Sequence, residues 1–271
     1  MTMTYTLNDG RHIPKIGFGT YRVGRAETAT AITAGYRLLD TALNYRNEAE
    51  VGQAVRESEV PRRELFVTTK LPGRHHGYDE TTASLSESLG NLGLDHVDLY
   101  LIHWPLPRQD RYLDSWRAMI ELREDGLATS IGVSNFTKAQ LERLADETGV
   151  MPAVNQVELH PYFPQEELRT FHAEHGIRTQ SWSPLGRGSD LLESEVVAQV
   201  ADAHGVTPAQ AVLRWHVELG SIPIPRSKDA TRQAQNLDVF GFELTDVEVA
   251  ALSGLARGRL WGGDPDSHEE F

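Results

Sequence analysis

The sequence predicts a (β/α)8 barrel folded as one domain, and three observations predict it. Strand-like runs and stretches of helical periodicity alternate along the whole chain in eight βα units. No repeat and no linker rich in serine or glycine interrupts them. The 271 residues, 39% of them hydrophobic, suffice for one large core. Eight units in an uninterrupted chain favour a closed barrel over a doubly wound sheet, so we expect residues 1–271 to form a single domain.

Each predicted element follows from a local pattern. Segments 5–7 and 12–14 flank Asn8-Asp9-Gly10, a turn typical of a β-hairpin, and we expect this hairpin to plug the bottom of the barrel. Helical periodicity is clear in segment 81–92 and in segment 141–144, which follows the candidate cap Thr137. The eight predicted barrel strands are residues 16–20, 36–40, 65–70, 97–103, 130–134, 153–158, 178–183 and 221–225.

Ionisable residues end three consecutive predicted strands. These are Asp40, Lys70 and His103, and Tyr45 lies just beyond the first of them. In a barrel of parallel strands these ends meet at one face, which is where such barrels carry their chemistry. For any one of these residues alone, a salt bridge or a hydrogen-bonded histidine is the simpler interpretation. All four together favour a shared function.

The four side chains suit proton transfer to a carbonyl oxygen. An ordinary tyrosine has a pKa of about 10, so Tyr45 needs a neighbouring cation to stabilise its phenolate, and Lys70 is the candidate. Burial favours loss of the lysine proton, which the carboxylate of Asp40 would oppose. His103 could donate a hydrogen bond to the same substrate oxygen.

The composition excludes several functions. The net charge of −13, from 39 acidic and 26 basic residues, argues against nucleic acid or an anionic membrane as a partner. The chain has no cysteine, so it forms no disulfide and has no thiolate ligand or nucleophile.

Residues 1–14 do not resemble a signal peptide and no run could span a membrane, so we expect a cytoplasmic protein. The histidines at 75, 76, 172 and 175 lack a third ligand at a suitable spacing, so no metal site is expected.

Eight sets of short motifs follow one another along the chain. They are Gly-Phe-Gly-Thr-Tyr (17–21), Asp-Thr-Ala-Leu-Asn-Tyr (40–45) with Asn-Glu (47–48) and Val-Gly (51–52), Thr-Lys-Leu (69–71), Asp-Leu-Tyr-Leu-Ile-His-Trp (98–104), Ile-Gly-Val-Ser-Asn-Phe (131–136), Asn-Gln-Val-Glu-Leu-His-Pro (155–161), Trp-Ser-Pro-Leu-Gly (182–186) and Ile-Pro-Arg-Ser (224–227). In this order they resemble the aldo-keto reductase family, and most closely its bacterial branch that contains 2,5-diketo-D-gluconate reductases. The resemblance implies NADPH-dependent reduction of aldehydes and ketones, with Asp40, Tyr45, Lys70 and His103 as the catalytic tetrad and Tyr45 as the general acid.

The glycine fingerprint of dinucleotide-binding sheets and the phosphate-binding P-loop are both absent, so a nicotinamide cofactor needs another kind of site. The resemblance implies NADPH or NADP+ bound extended across the barrel mouth. Trp182 would stack on the nicotinamide, and the basic segment 225–236 would hold the 2′-phosphate through Arg226 and Arg232, because guanidinium groups bind phosphate through paired hydrogen bonds. Arg226 and Gln235 replace a lysine and a glutamate of the commoner family pattern. The implied cofactor residues are Gly19, Thr20, Asp40, Ser134, Asn135, Gln156, Trp182, Ser183, Leu185, Arg226, Ser227, Arg232, Gln235 and Asn236.

The substrate stays open between several carbonyl compounds. By resemblance, Tyr21, Tyr45, His103 and Trp104 would line the substrate pocket, which suits a small or planar molecule. Keto sugar acids, methylglyoxal and aromatic aldehydes are all compatible with it. The acidic segment 262–271 could cover the pocket together with Trp261, or be disordered.

Two other functions compete with carbonyl reduction. Glu158 and Asp98 could be the paired carboxylates of a glycoside hydrolase, although this leaves Lys70 and the basic segment unexplained. The chain could also be a regulatory subunit that binds the cofactor with negligible turnover, as some relatives of this family are; the complete tetrad weighs against it. We expect a monomer that binds a small carbonyl compound.

Overall fold

The computed structural model describes residues 3–270 of the chain. Its first two strands, β1 (Thr4–Thr6) and β2 (His12–Pro14), pair as an antiparallel hairpin. Within the described residues, eight further strands form one parallel sheet in which neighbours follow the chain order. They are β3 (Phe18–Gly19), β4 (Leu38–Asp40), β5 (Phe66–Leu71), β6 (Val97–Ile102), β7 (Ala128–Ser134), β8 (Val154–Glu158), β9 (Arg178–Trp182) and β10 (Ile222–Pro223).

The sheet closes on itself between its first and last strands. The backbone N–H groups of Gly17 and Gly19 donate to the carbonyl oxygens of Pro223 and Pro225 at 3.0 and 2.9 Å. Every edge of the sheet is therefore paired, as a barrel requires. The prediction of a (β/α)8 barrel is confirmed.

Helices surround the barrel on its outer side. Helix α5 begins after Thr137, whose N–H donates to the side chain of Gln140, which is the reciprocal arrangement of a capping box. Across residues 3–270 the helices are α1 (Arg25–Ala34), α2 (Glu48–Glu57), α3 (Tyr78–Leu92), α4 (Tyr112–Glu124), α5 (Lys138–Thr148), α6 (Glu166–Glu174), α7 (Glu195–His204), α8 (Pro208–Glu218), α9 (Ala230–Leu237) and α10 (Asp246–Ser253), with short 3₁₀ segments at Leu43–Tyr45, Arg62–Glu64, Gly73–His75, Gly186–Gly188 and Asp190–Glu193.

Side-chain alternation explains why the barrel is apolar at one end and polar at the other. Successive residues of a strand point to opposite sides, so residues two apart share a side. Leu38 and Phe66 belong to the buried cluster inside the barrel. Asp40 lies two residues after the first and Lys70 four residues after the second, on the same inward face and nearer the carboxyl ends of the strands. The strands thus have an apolar floor and a polar mouth.

The hairpin closes the floor. Leu7 and Ile13 are buried and belong to the same cluster as the floor residues of the strands. The side chain of Asn8 in the turn donates to the carbonyl oxygen of Pro152 at 3.0 Å. Residues 4–14 are called the plug below, and their predicted position at the bottom of the barrel is confirmed.

Several strand boundaries differ from the prediction. The first and last barrel strands span two residues each, where five were predicted in each case. The last of them is shortened because prolines at 223 and 225 have no N–H group to donate to a neighbour. The hairpin strand predicted at 5–7 lies one residue earlier, and β5 continues one residue beyond Lys70. In the part of the chain that is described, no helix has the length and apolar character needed to cross a bilayer.

Candidate active site

Lys70 is the centre of a buried polar cluster at the mouth of the barrel. Its Nζ lies 2.6 Å from Asp40 Oδ1 and donates at 2.9 Å to the carbonyl oxygen of Thr41. Its distance to the hydroxyl oxygen of Tyr45 is 3.5 Å. The second Asp40 oxygen accepts from Gln156 Nε2 at 2.7 Å, so both carboxylate oxygens are occupied. The structure brings together the acid, amine and phenol that the sequence predicts.

The electrostatics of this cluster partly differ from the expectation. Burial alone would lower the pKa of the Lys70 ammonium, but the adjacent Asp40 carboxylate and the Tyr45 phenol leave that pKa raised. Burial raises the pKa of Tyr45, and the nearby Lys70 ammonium only opposes this change. Lys70 is therefore a stable cation, as expected. In the structure as it stands, however, its charge does not bring the pKa of the phenol below the ordinary value.

His103 lies across the cleft from Tyr45. It follows the last residue of β6, and its ring centre is 5.9 Å from that of Tyr45, with the rings nearly perpendicular. The side-chain amide of Asn135 donates to the carbonyl oxygen of His103 at 3.0 Å, which holds the backbone of this residue. A carbonyl oxygen placed between the phenol and the imidazole could accept a hydrogen bond from each.

Four of the predicted cofactor residues, which by resemblance would surround the nicotinamide and its carboxamide, form one hydrogen-bonded network. Asn135 Oδ1 accepts from Trp182 Nε1 at 2.8 Å, and Asn135 Nδ2 donates to Ser134 Oγ at 3.0 Å. Ser134 Oγ donates to the backbone oxygen of Gln156 at 2.8 Å. The ends of β7, β8 and β9 are thereby linked side by side. Binding a carboxamide through these groups requires exchange of some of these internal bonds.

A cleft of about 870 Å³ contains most of the predicted site, and Lys70 lies buried beneath it. Arg22 and Arg187 also line the cleft. The predicted residues that line it are Gly19, Tyr21, Asp40, Tyr45, His103, Trp104, Ser134, Asn135, Gln156, Trp182, Ser183, Leu185 and Arg226.

The remaining predicted cofactor residues lie outside the cleft. Thr20 is buried, and its hydroxyl donates to the carbonyl oxygen of Asp40 at 2.9 Å. Arg232 is exposed in the first turn of α9, with Nε 4.0 Å from the N-cap residue Asp229. The other three are the buried Ser227 and Asn236 and the exposed Gln235.

The segment that follows the last helix closes the mouth. Residues 259–270, called the strap below, lie over the cleft, and Phe271 lies outside the described residues. The ring centres of Trp261 and His268 are 5.3 and 4.3 Å from that of Trp104. Of the two possibilities for this segment, the structure shows the one in which it covers the pocket.

The strap is fixed at its beginning by Glu158. Glu158 Oε1 accepts from the backbone N–H groups of Leu260 and Trp261 at 2.7 and 3.0 Å and lies 3.0 Å from His160 Nε2. The carboxylate is almost fully buried, and Arg259 lies 3.9 Å from its second oxygen. This is the role that the structure gives to the acidic residue of the motif at 155–161.

The strap is fixed at its other end by Glu270, beside His103. Glu270 Oε1 lies 2.8 Å from His103 Nδ1 and accepts from Asn44 Nδ2 at 2.8 Å. Oε2 accepts from the N–H of Gly73 at 3.2 Å. Burial alone would raise the pKa of Glu270, but His103, Asn44 and the Gly73 amide lower it to about 2. Glu270 is therefore ionised at neutral pH, and no local pattern in the sequence indicates this contact.

The glycoside hydrolase alternative is wrong. Asp98 is the second residue of β6 and Glu158 the last residue of β8, so the two carboxylates lie at opposite ends of the barrel. Asp98 pairs with Arg62 at 2.7 Å and accepts from the N–H of Val67, near the floor. Of the histidines considered as metal ligands, His172 is buried between Thr179 and Asn155, at 2.9 and 3.0 Å.

The chain is similar to known proteins along nearly its whole length. Residues 15–257 match the Aldo/keto reductase family. The chain is 61% identical to 2,5-diketo-D-gluconic acid reductase B of Corynebacterium sp. (strain SHS752001), covering 99% of this chain and 98% of that protein. It is 44% identical to methylglyoxal reductase DkgA of Escherichia coli K12, covering 96% of each. Among solved structures, a mutant of Gox0644 in complex with NADPH matches with a TM-score of 0.93 at 43% identity, covering 99% of both chains. An aldo-keto reductase of Bombyx mori in complex with NADP matches with a TM-score of 0.90 at 38% identity, covering 94% of this chain and 93% of that one.

Proposed function

The chain belongs to the aldo/keto reductase family, and from that premise we propose that it reduces an aldehyde or ketone to an alcohol with NADPH, using Tyr45 as the general acid. The observation that carries the proposal is the chain of contacts from Asp40 through Lys70 to Tyr45, with His103 facing the phenol across one cleft. An acid, its stabilising cation and a second hydrogen-bond donor meet where a carbonyl oxygen can bind.

NADPH, when bound, supplies the hydride that adds to the carbonyl carbon. Tyr45 gives its phenolic proton to the carbonyl oxygen, so that one hydride and one proton convert C=O to CH–OH. Lys70 stabilises the phenolate that remains, and Asp40 holds the ammonium in place. His103 donates a hydrogen bond to the oxygen and orients the carbonyl group. In the reverse direction, the phenolate of Tyr45 accepts the proton of the alcohol.

The residues of the cleft fit a dinucleotide. Three arginines, Arg22, Arg187 and Arg226, line the cleft of a protein whose net charge is −13. Such a local excess of positive charge suits the phosphates of the cofactor. Trp182 is half-buried at the same cleft, where its indole plane can stack on a nicotinamide ring. Arg226 and Arg232 flank the loop that leads into α9, and we propose that they hold the 2′-phosphate.

The substrate is a small carbonyl compound. Tyr21, Trp104 and Trp261 give the cleft aromatic walls, which suit a compact or planar molecule. The two named relatives reduce, by their names, a keto sugar acid and methylglyoxal. Aromatic aldehydes also fit this shape. The four proposed catalytic residues lie together at the mouth of one barrel, so the proposed reaction requires no residue from a second chain.

Replacing Tyr45 with phenylalanine tests the proposal. We expect kcat for carbonyl reduction to fall by about 100-fold or more, because the acid is lost while the ring is kept. Binding of NADPH, followed by fluorescence, should change little. The loss of NADPH absorbance with methylglyoxal, 2,5-diketo-D-gluconate and an aromatic aldehyde measures the turnover, and parallel runs with NADH measure the cofactor preference. Turnover close to that of the wild type would show that Tyr45 is not the acid.

A further inference from the structure

The carboxylate of Glu270 is a charge inside the catalytic cleft that the reduction step does not use. It lies 2.8 Å from His103 Nδ1, on the residue that would bind the substrate oxygen. Its electrostatic field reaches the phenol, since it contributes to the raised pKa of Tyr45. Three groups hold it in place: the imidazole beside it, and the Asn44 amide and the Gly73 N–H, which donate to it.

The backbone of the cleft is shaped around this residue. A Cβ atom at Gly73 would overlap with the carbonyl oxygen of Glu270 and with a methyl group of Leu106. The leucine side chain could move aside, but the strap backbone could not stay in place. The absence of a side chain at position 73 is therefore what allows Glu270 to approach His103.

Charge is divided unevenly along the cleft. Arg22, Arg187 and Arg226 line it, and so do the carboxylates of Glu269 and Glu270. Glu270 contacts His103, so the negative charge lies at the place where the carbonyl binds. Two negative charges less than about 8 Å apart repel strongly in a partly buried site, where the effective dielectric constant is far below that of water.

We propose that Glu270 is a specificity-determining residue, which disfavours substrates with a negative charge next to the reacting carbonyl and leaves neutral α-dicarbonyl compounds as the preferred class. The inference rests on the proposed reductase function and names the substrates of that same site. An acid whose carboxylate lies several carbons from the reacting carbonyl avoids the repulsion, because its charge can extend toward the arginines.

Methylglyoxal and glyoxylate are the matched substrates for the test. Both present an aldehyde next to a second carbonyl group, and they differ in a methyl group against a charged oxygen. We expect Glu270→Gln to raise kcat/KM for glyoxylate by about tenfold or more, since the amide keeps the size of the side chain and removes its charge. The value of kcat/KM for methylglyoxal should change by less than about twofold. Both compounds are hydrated in water, and using the same stock solutions for every variant removes that difference from the comparison.

Two further variants separate charge from structure. Asp266→Asn removes one charge from an exposed position of the same strap and should leave the ratio of the two substrates unchanged. Gly73→Ala keeps the charge but displaces the strap backbone, and it should favour glyoxylate as Glu270→Gln does.

Each outcome decides the inference. A rise confined to glyoxylate in Glu270→Gln and Gly73→Ala supports it. Equal changes for both substrates, or none, overturn it while leaving the reductase function intact. Failure of the wild type to consume NADPH with either aldehyde, or with the other carbonyl compounds named above, would instead contradict the proposed function, and the inference would fall with it.

Discussion

The plug and the strap close opposite ends of one barrel through different kinds of interaction. The plug buries Leu7 and Ile13 in an apolar cluster at the floor. The strap is held through the carboxylates of Glu158 and Glu270, which accept hydrogen bonds from backbone and side-chain donors. Apolar burial is lost only when the fold opens, whereas a few polar contacts can break locally. The comparison therefore predicts that the floor determines global stability and the mouth determines what enters.

The largest effect on stability is expected at the plug. Ile13→Ala removes a fully buried side chain from the floor and should lower the free energy of unfolding by about 2–5 kcal/mol. Urea denaturation measures the loss, and Thr4→Ala, at an exposed position of the same hairpin, is the matched control. Because the mouth is untouched, kcat of the remaining folded enzyme should be unchanged. An unchanged unfolding midpoint would mean that the plug does not contribute to the core.

Acidification should destabilise the whole fold at a higher pH than it weakens the attachment of the strap at Glu270. Burial lowers the pKa of His76 to about 4, and those of His172 and His216 to about 3. Protons then bind preferentially to the unfolded chain. The contribution of these histidines to the free energy of unfolding is therefore complete above pH 6.5 and is lost as the pH drops. Each of these histidines costs about 1.4 kcal/mol per pH unit until its folded pKa is reached.

Glu270 titrates in a lower range. Its pKa of about 2 lies below the ordinary 4.5, so its contribution is complete above pH 4.5 and is lost as the pH falls toward 2. Tryptophan fluorescence, to which Trp261 in the strap contributes, and far-ultraviolet circular dichroism should therefore change together on acidification. A fluorescence change at a higher pH than the loss of secondary structure, absent in Trp261→Phe, would show that the strap leaves first.

The smallest effect on global stability is expected at the anchor of the strap. Glu158→Gln keeps an acceptor for the Leu260 and Trp261 amides but removes its charge, which should weaken the seating of the strap by about 1–3 kcal/mol. Faster hydrogen exchange of residues 259–270, with an unfolding midpoint lowered less than in Ile13→Ala, is the expected result. Glu174→Gln, at an exposed position, is the control. Unchanged exchange in the strap would show that this carboxylate does not anchor it.

The floor and the catalytic cluster could be predicted because both depend on local rules. Because side chains alternate between the two faces of a strand, Leu38 and Asp40 share the inward face, and so do Phe66 and Lys70. The strand pattern therefore places the polar residues at the mouth. The same rule shows why Asp98 was misplaced. It lies at the beginning of its strand, and the beginnings of parallel strands face the floor.

Coverage of the pocket by the strap was one of two expectations, but its specific contacts could not be predicted, since they join distant parts of the chain without any periodic pattern. Glu270 meets Asn44 across 226 positions and Leu260 meets Glu158 across 102. The raised pKa of Tyr45 was also missed, because the balance between burial and the Lys70 charge depends on the extent of burial as well as on the 3.5 Å separation. Both failures concern quantities that only three-dimensional packing determines.

Glu158 holds the beginning of the strap through hydrogen bonds from main-chain N–H groups. Every residue except proline has a main-chain N–H group, so these two hydrogen bonds do not depend on which side chains the strap carries. Substitutions at positions 262–269 can therefore accumulate without releasing the beginning of the strap from Glu158. Such substitutions could change the substrate preference, while the catalytic residues and the barrel stay the same.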